Sequence, residues 1–178
     1  MARCFAAVWP PTEVISALAA LPRPRINEAR WTTEAQWHVT LRFFGELTPE
    51  EAGSVTAALG AVAGSLPGRL TAQGGPATRL LGPGLVVWPV EGLEHAAEAV
   101  GTATANFGQP VPERRFYGHI TIARARRGAD LGPVRHLLTP LAMSWPVTSL
   151  SLVQSELHPD GARYRDIETF SLGPATAR

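Results

Sequence analysis

Two short stretches constrain this chain more than anything else in it. Residues 37–44 read Trp-His-Val-Thr-Leu-Arg-Phe-Phe, and residues 117–124 read Tyr-Gly-His-Ile-Thr-Ile-Ala-Arg. Successive side chains of a strand alternate faces. His38 and Thr40 therefore share one face while Val39 and Leu41 fill the other. His119 and Thr121 pair in the same way against Ile120 and Ile122. The copies lie 81 positions apart, one in each half of the chain. A fold that turns both polar faces into one cleft gathers two imidazoles and two hydroxyls. With five histidines and 15 threonines present, chance supplies two His-x-Thr hits roughly 6% of the time, a real false-positive risk. Pattern alone leaves a plainer reading level with this one: two half-buried strands with incidental polar residues.

At 178 residues, the chain is long enough for one sizeable core, or two small lobes sharing one. Hydrophobic residues make up 45% and charged residues 17%, as in a globular protein. All 16 basic residues are arginine. A chain without lysine excludes a nucleotidyl-lysine intermediate, a Schiff base and a P-loop lysine, and with them ATP-driven ligation through an adenylated lysine. The net charge of +1 provides no global field for polyanions. Arg114, Arg115, Arg124, Arg126 and Arg127 nevertheless cluster around the second motif, where they favour phosphate. The single Cys4 forms no internal disulfide and reads as a core residue of a reducing, cytoplasmic compartment. The apolar start, Met1 to Trp9, meets Pro10-Pro11 too soon for a signal sequence or a membrane span.

Taken in order, residues 3–9 predict a buried strand and 12–21 a helix. A polar connection follows over 23–30, then a short strand at 31–32, a turn at 34–36 and the first motif strand, ending at Gly45. Thr48-Pro49-Glu50-Glu51 is a capping box with proline at the first helical position, predicting a helix over 49–63. Strands fit 69–73 and 84–90, separated by a Gly- and Pro-rich loop, and 93–107 reads as helix. The second motif strand follows a loop over 108–115. A short helix over 131–141, a strand over 146–157, a turn at 158–161 and a return strand over 163–172 complete the chain, with a loose end. This order predicts an α+β fold: one domain spanning 1–178, made of two intertwined lobes. Two pseudo-twofold-related antiparallel-rich sheets, with helices outside, surround a central cleft.

Hydrolysis of a phosphodiester needs a base for water, an acid for the leaving oxygen and donors for the phosphate oxygens. Two histidines cover the first two tasks without metal, and two threonine hydroxyls cover the third. Zinc takes three or four protein ligands, and neither motif strand supplies a carboxylate, so no metal is expected. Nucleophilic attack by either threonine lacks a local base and orienting acid. His95, His136 and His158 read as surface or structural residues.

The paired motifs resemble the two-histidine phosphoesterases, in particular their RNA 2′,3′-cyclic phosphodiesterase (2′-5′ RNA ligase-like) branch. The likeness takes in Arg3-Cys4-Phe5-Ala6-Ala7, the stretch from Trp37 to Glu46, His119 to Arg124, Ser155-Glu156-Leu157 and Gly161-Ala162-Arg163-Tyr164. Relatives commonly carry a proline before the second motif; Tyr117-Gly118 stands here instead. The resemblance implies opening of an RNA-terminal 2′,3′-cyclic phosphate to a 2′-phosphate, with no cofactor. It implies His38 and His119 as the acid/base pair and Thr40 and Thr121 as phosphate holders, with His119 activating water and His38 protonating the leaving 3′-oxygen. Arg42 shares the strand parity of His38 and Thr40, so it is expected to face the cleft and bind substrate. Arg124 is a family position of opposite parity to His119, and reaches the site only if its strand bends, twists or ends there. The expected partner is an RNA or oligonucleotide end bearing the cyclic phosphate, bound by a monomer away from membranes. Alternatives are the reverse reaction, ATP-independent 2′-5′ ligation, and a nucleotide-binding module without turnover.

Overall fold

The computed structural model describes residues 1–25, 27–126, 141–159 and 161–173. The expected helix over 131–141, with His136, lies almost wholly outside them, as do Arg127 and all but the first residue of the loose end. The elements run β1 (Ala2–Val8), α1 (Thr12–Ala19), β2 (Ala29–Trp31), a 3-10 turn (Glu34–Gln36), β3 (Val39–Leu47), α2 (Pro49–Ser65), β4 (Leu70–Gly74), β5 (Arg79–Leu81), β6 (Leu85–Glu91), α3 (Glu94–Ala103), β7 (His119–Ala125), β8 (Met143–Val147), β9 (Ser149–His158) and β10 (Gly161–Ser171). The fold is α+β, and its strands pair antiparallel in the order β10-β9-β1-β3-β7-β6-β4-β8, with β2 added to β7 and β5 to β6. The two sheets expected from sequence are two arms of this curled sheet, joined where β3 meets β7.

Local chemistry explains several boundaries. Thr48 caps α2: its hydroxyl accepts from the Glu51 amide at 3.2 Å, and the Glu51 carboxylate accepts from the Thr48 amide at 2.9 Å. β3 does not stop at Gly45, as expected, but continues to Leu47. Gly45 takes a φ of +75°, which only glycine adopts freely, and a Cβ there would lie 2.9 Å from the Gln109 side chain. The alternating run expected as one strand over 146–157 is in fact two. Met143–Val147 pairs with β4, and Ser149–His158 pairs with β1 and β10. The chain changes arms at Thr148, where the positions buried in the main core step from Trp145 and Val147 to Leu150 and Leu152.

The helices cover one face. Val14 and Leu18 of α1, Val55 and Leu59 of α2 and Ala96 and Val100 of α3 share one buried cluster with Val39, Leu41, Ile120 and Ile122. Burial of this apolar surface is the main force closing the sheet onto the helices. The opposite face holds a smaller cluster of Phe5, Ala7 and Val153, flanked by Trp9, Phe43 and Tyr164. Among the described residues no helix is long and apolar enough to cross a membrane.

Candidate active site

β3 and β7 meet through one ladder pair, Val39 with Ile120. An antiparallel pair has a local twofold through its centre. That axis carries His38 onto His119 and Thr40 onto Thr121, because each stands one residue from the shared rung in the same sense. Val39 and Ile120, at 1% and 0% exposure, anchor the rung in the core. The four polar side chains project from the other face.

The same axis relates the ring contacts. His38 Nδ1 lies 2.9 Å from the carbonyl of Gln36, and His119 Nδ1 lies 2.8 Å from the carbonyl of Tyr117. A carbonyl only accepts, so each Nδ1 carries a hydrogen and donates it. The neutral ring is then left with an unprotonated Nε2. The Thr40 hydroxyl sits 3.1 Å from His38 Nε2, where it donates to that lone pair.

The surroundings differ. Phe5 stacks on His38 at 4.7 Å between ring centres, and Tyr164 and Trp9 present edges at 5.0 and 5.5 Å. Trp9 is held by its indole N–H, which donates to Asp166 Oδ1 at 3.0 Å. Burial pushes His38 down to about 4; the Gln36 carbonyl opposes this, and the charges of Arg124 and His119 add to it. Burial also holds His119 below its ordinary value, opposed by the Tyr117 carbonyl and reinforced by Arg124 and Arg114. Both rings of the free protein are therefore neutral at pH 7.

Each motif strand is bulged just after its threonine. Against β1, Thr40 faces Ala7 and Arg42 faces Ala6, leaving Leu41 as the extra residue. Against β6, Thr121 faces Val87 and Ala123 faces Val86, leaving Ile122 extra. A bulge breaks strict alternation and re-aims the side chains beyond it. Leu41 and Arg42 are both buried, as are Ile122 and Ala123. The backbone parity of Arg42, on which its expected place in the cleft rested, therefore changes at Leu41. Arg42 is 4% exposed, and its guanidinium binds the Thr104 hydroxyl and the carbonyls of Gly101, Phe107 and Gln109. It borders the cleft, but its η-nitrogens bind the end of α3 and the following loop. The same shift works the other way for Arg124. It moves onto the side of His119 and Thr121, is exposed, and its charge is felt by both histidines.

A buried hydroxyl ties the motifs together. Thr32, 4% exposed, lies 2.7 and 2.8 Å from the carbonyls of Thr121 and Ile122, and it accepts from the Trp37 indole at 2.9 Å. It thus serves the carbonyls at the β7 bulge while holding the residue before His38. Gln36 does similar work: its amide nitrogen donates to the Ala162 carbonyl at 2.7 Å, and its amide oxygen accepts from the Thr33 N–H at 3.1 Å. From Thr40 and His119 a cavity of about 840 Å³ extends between α3 and the segment 109–117. No three of His, Cys, Asp and Glu gather into a metal-ligating group among the described residues.

Likenesses to known proteins accord with this geometry. The model of the LigT like phosphoesterase family matches residues 8–75. An RNA 2′,3′-cyclic phosphodiesterase of Thermus thermophilus is 32% identical over 191 aligned positions, spanning 96% of this chain and 90% of the relative. The chain belongs to the LigT-like phosphoesterase family. The crystal structure of TT0787 of Thermus thermophilus superposes with a TM-score of 0.76 at 27% identity, covering 98% of this chain and 100% of that one. Escherichia coli LigT complexed with 3′-AMP, at 22% identity, TM-score 0.75 and coverage of 96% and 98%, shares the fold.

Sequence reasoning missed Thr32, Gln36 and the aromatic wall of Phe5, Trp9 and Tyr164. Thr33-x-x-Gln36 is itself a cap-like signal that marks Gln36. No sequence pattern marks Thr32, because the two carbonyls it binds lie 89 and 90 residues away. The surface reading of two further histidines agrees with the structure: His95 is exposed on α3, and His158 lies 3.7 Å from Glu156 at the last turn.

Proposed function

We propose that this chain opens the 2′,3′-cyclic phosphate at an RNA end, leaving a 2′-phosphate, with its two histidines as acid and base and without metal. The observation that carries this reading is the twofold about Val39 and Ile120. It relates His38 and Thr40 to His119 and Thr121 across one ladder rung, with each ring bound at Nδ1 by an equivalent carbonyl, which supports this reading. The name of the Thermus relative supports the substrate class.

In the proposed reaction, His119 takes a proton from water on its free Nε2. The water oxygen attacks phosphorus and the bond to O3′ breaks. His38, protonated on Nε2 in the bound complex, gives that proton to O3′. Thr40 and Thr121 donate to the non-bridging oxygens, where charge develops. Exchange with solvent returns the surplus proton of His119 and restores His38. The substrate's negative charge raises both pKa values on binding, which supplies the protonated partner that the free site disfavours. His119 suits the base because it is the less enclosed ring, nearer the water supply. Arg124 supports phosphate binding from the same face. We further infer a single domain of two lobes, acting as a monomer in a reducing cytoplasm: the one cysteine, Cys4, is buried and free.

The test is incubation with RNA ending in a 2′,3′-cyclic phosphate in the presence of EDTA, followed by product mapping. A 2′-phosphate that forms undiminished with EDTA is expected. A 3′-phosphate, or a rate abolished by EDTA and restored by zinc, refutes the reading; a 2′-5′ joined product points to the reverse reaction. A substrate with sulfur in place of O3′ checks the roles. Its leaving thiolate needs little protonation, so His38→Ala should lose far less on it than on the oxygen substrate. If His119→Ala is rescued instead, the roles are exchanged.

A further inference from the structure

We infer that the cavity beside His119 is a nucleobase site, with Tyr117 as the stacking platform for the base of the cyclic-phosphate nucleotide and Arg114 and Arg115 facing its 5′-phosphate. The inference rests on the cyclic-phosphate reading and adds what the enzyme holds besides phosphorus.

Tyr117 has two separate attachments to the site. Its backbone carbonyl fixes the His119 tautomer at 2.8 Å. Its ring lies tilted beside the His119 ring, with centres 5.8 Å apart and planes at 32°. The side chain is nonetheless 46% exposed, and Val111 is 40% exposed. These are two of only five large apolar side chains left exposed among the described residues, and both line the cavity that starts at Thr40 and His119. Exposed apolar surface gathered on one concavity marks a binding site rather than ordinary scatter.

The backbone beneath Tyr117 is well fixed. The Val90 amide donates to the Gly118 carbonyl at 2.8 Å. A Cβ on Gly118 would come within 2.3 Å of the Val90 carbonyl oxygen, so glycine permits this close approach. The platform is therefore held without using its outer surface.

The volume of about 840 Å³ falls in the ~300–1,000 Å³ range of pockets that hold small organic ligands. Arg114 and Arg115 line it, with Glu94 and Glu98 of α3 in the wall as well. Guanidinium groups suit a phosphate, while carboxylates accept from the exocyclic amines of a base. An aromatic ring, a phosphate-binding pair and amine acceptors beside one catalytic histidine describe a nucleotide better than a bare sugar phosphate. Stacking on a tyrosine is tolerant of base identity.

The experiment compares a nucleoside 2′,3′-cyclic phosphate with methyl riboside 2′,3′-cyclic phosphate, which lacks the base, on wild type, Tyr117→Ala and Tyr117→Phe. Calorimetric titration of the two corresponding 2′-monophosphates accompanies the kinetics. Tyr117→Ala is expected to raise KM for the nucleoside substrate and weaken nucleoside 2′-phosphate binding by about 5–150-fold, the range of one base–aromatic stack. The base-free pair should lose far less than the nucleoside pair, and Tyr117→Phe should restore most of the nucleoside-specific loss. Arg114→Gln and Arg115→Gln are expected to lose the added affinity that a 5′-phosphate gives the nucleoside 2′-phosphate. Equal losses with and without the base, or no loss in Tyr117→Ala, overturn the inference while the reaction stands. If wild type turns over neither substrate but Tyr117→Ala still selectively weakens nucleotide binding, the reaction reading fails and the base site survives.

Discussion

His38 lies among Phe5, Trp9 and Tyr164, while His119 lies beside one exposed tyrosine with Arg114 and Arg124 near. The two rings hold equivalent carbonyls and stand equally far from the shared rung, yet their proton affinities differ. His38 is pushed down to about 4, whereas His119 is lowered to a smaller extent. Symmetric backbone positions thus carry unequal acid–base chemistry, and the inequality comes from what each arm packs around its ring. A site built this way can keep one geometry for phosphorus and still give its histidines different tasks.

The sharpest way to break this comparison is to delete each ring in turn. His38→Ala and His119→Ala should each lower turnover by ~10²–10⁴, the span for losing general acid–base catalysis. The double variant should lose less than the product of the singles, since the pair acts as a unit. Near-normal turnover in either single variant removes that histidine from the mechanism.

The threonines test the next level. Val for Thr40 or Thr121 keeps the branched shape but removes the donor. One lost hydrogen bond to a charged group is worth ~1.5–3 kcal/mol, so kcat/KM should fall by roughly one to two decades, and Ser should recover much of it. The two should then part. Thr40 also donates to His38 Nε2, which favours the neutral ring, so Thr40→Val should move the pH profile upward. Thr121→Val should leave it in place. Identical pH profiles for the two variants would remove this asymmetry.

Titration measures the inequality itself. A histidine whose folded pKa is lowered stays neutral to lower pH than in the unfolded chain. The associated stability is complete above about 6.5 and is lost as pH falls towards the folded value. Ring-proton NMR should therefore find His38 titrating at about 4 and His119 below its ordinary value. The kcat/KM bell, which reports the free enzyme, should have both limbs below about 6.5; the kcat bell should lie higher, because bound phosphate raises both groups. A kcat/KM optimum above 7 would contradict the burial argument.

The bulges give the smallest effects on activity and the clearest contrast between arms. Arg42→Met should strand several buried acceptors at the end of α3, at roughly 1–3 kcal/mol for each group left unsatisfied, while kcat of the folded fraction stays within about twofold. Arg124→Gln should leave stability nearly unchanged and raise both histidine pKa values, since it removes a cation that opposes their protonation. Added salt should mimic the Arg124 change and have little effect on the Arg42 one. If Arg42→Met instead reduces turnover without loss of stability, its placement as a structural residue is wrong.

The paired His-x-Thr strands, the Thr48 capping box and the apolar alternation were legible in the sequence, because each is a short-range pattern with a fixed period. They determined which residues take the polar strand faces and which fill the core. Three features became legible only in three dimensions. The Leu41 and Ile122 bulges exist only relative to β1 and β6, and no window along one strand shows a partner's register; this is why Arg42 turned inward and Arg124 came onto the side of His119 and Thr121. The change of arms at Thr148 shows in the sequence only as a one-residue step in the apolar positions, from Trp145 and Val147 to Leu150 and Leu152; which strands each run pairs with is decided in three dimensions. Thr32 and the aromatic wall around His38 join segments far apart in the chain. The sequence by itself determined that two imidazoles and two hydroxyls would sit on polar strand faces. Tertiary structure decided how easily each imidazole takes a proton, because desolvation depends on neighbours brought in from β1 and β10.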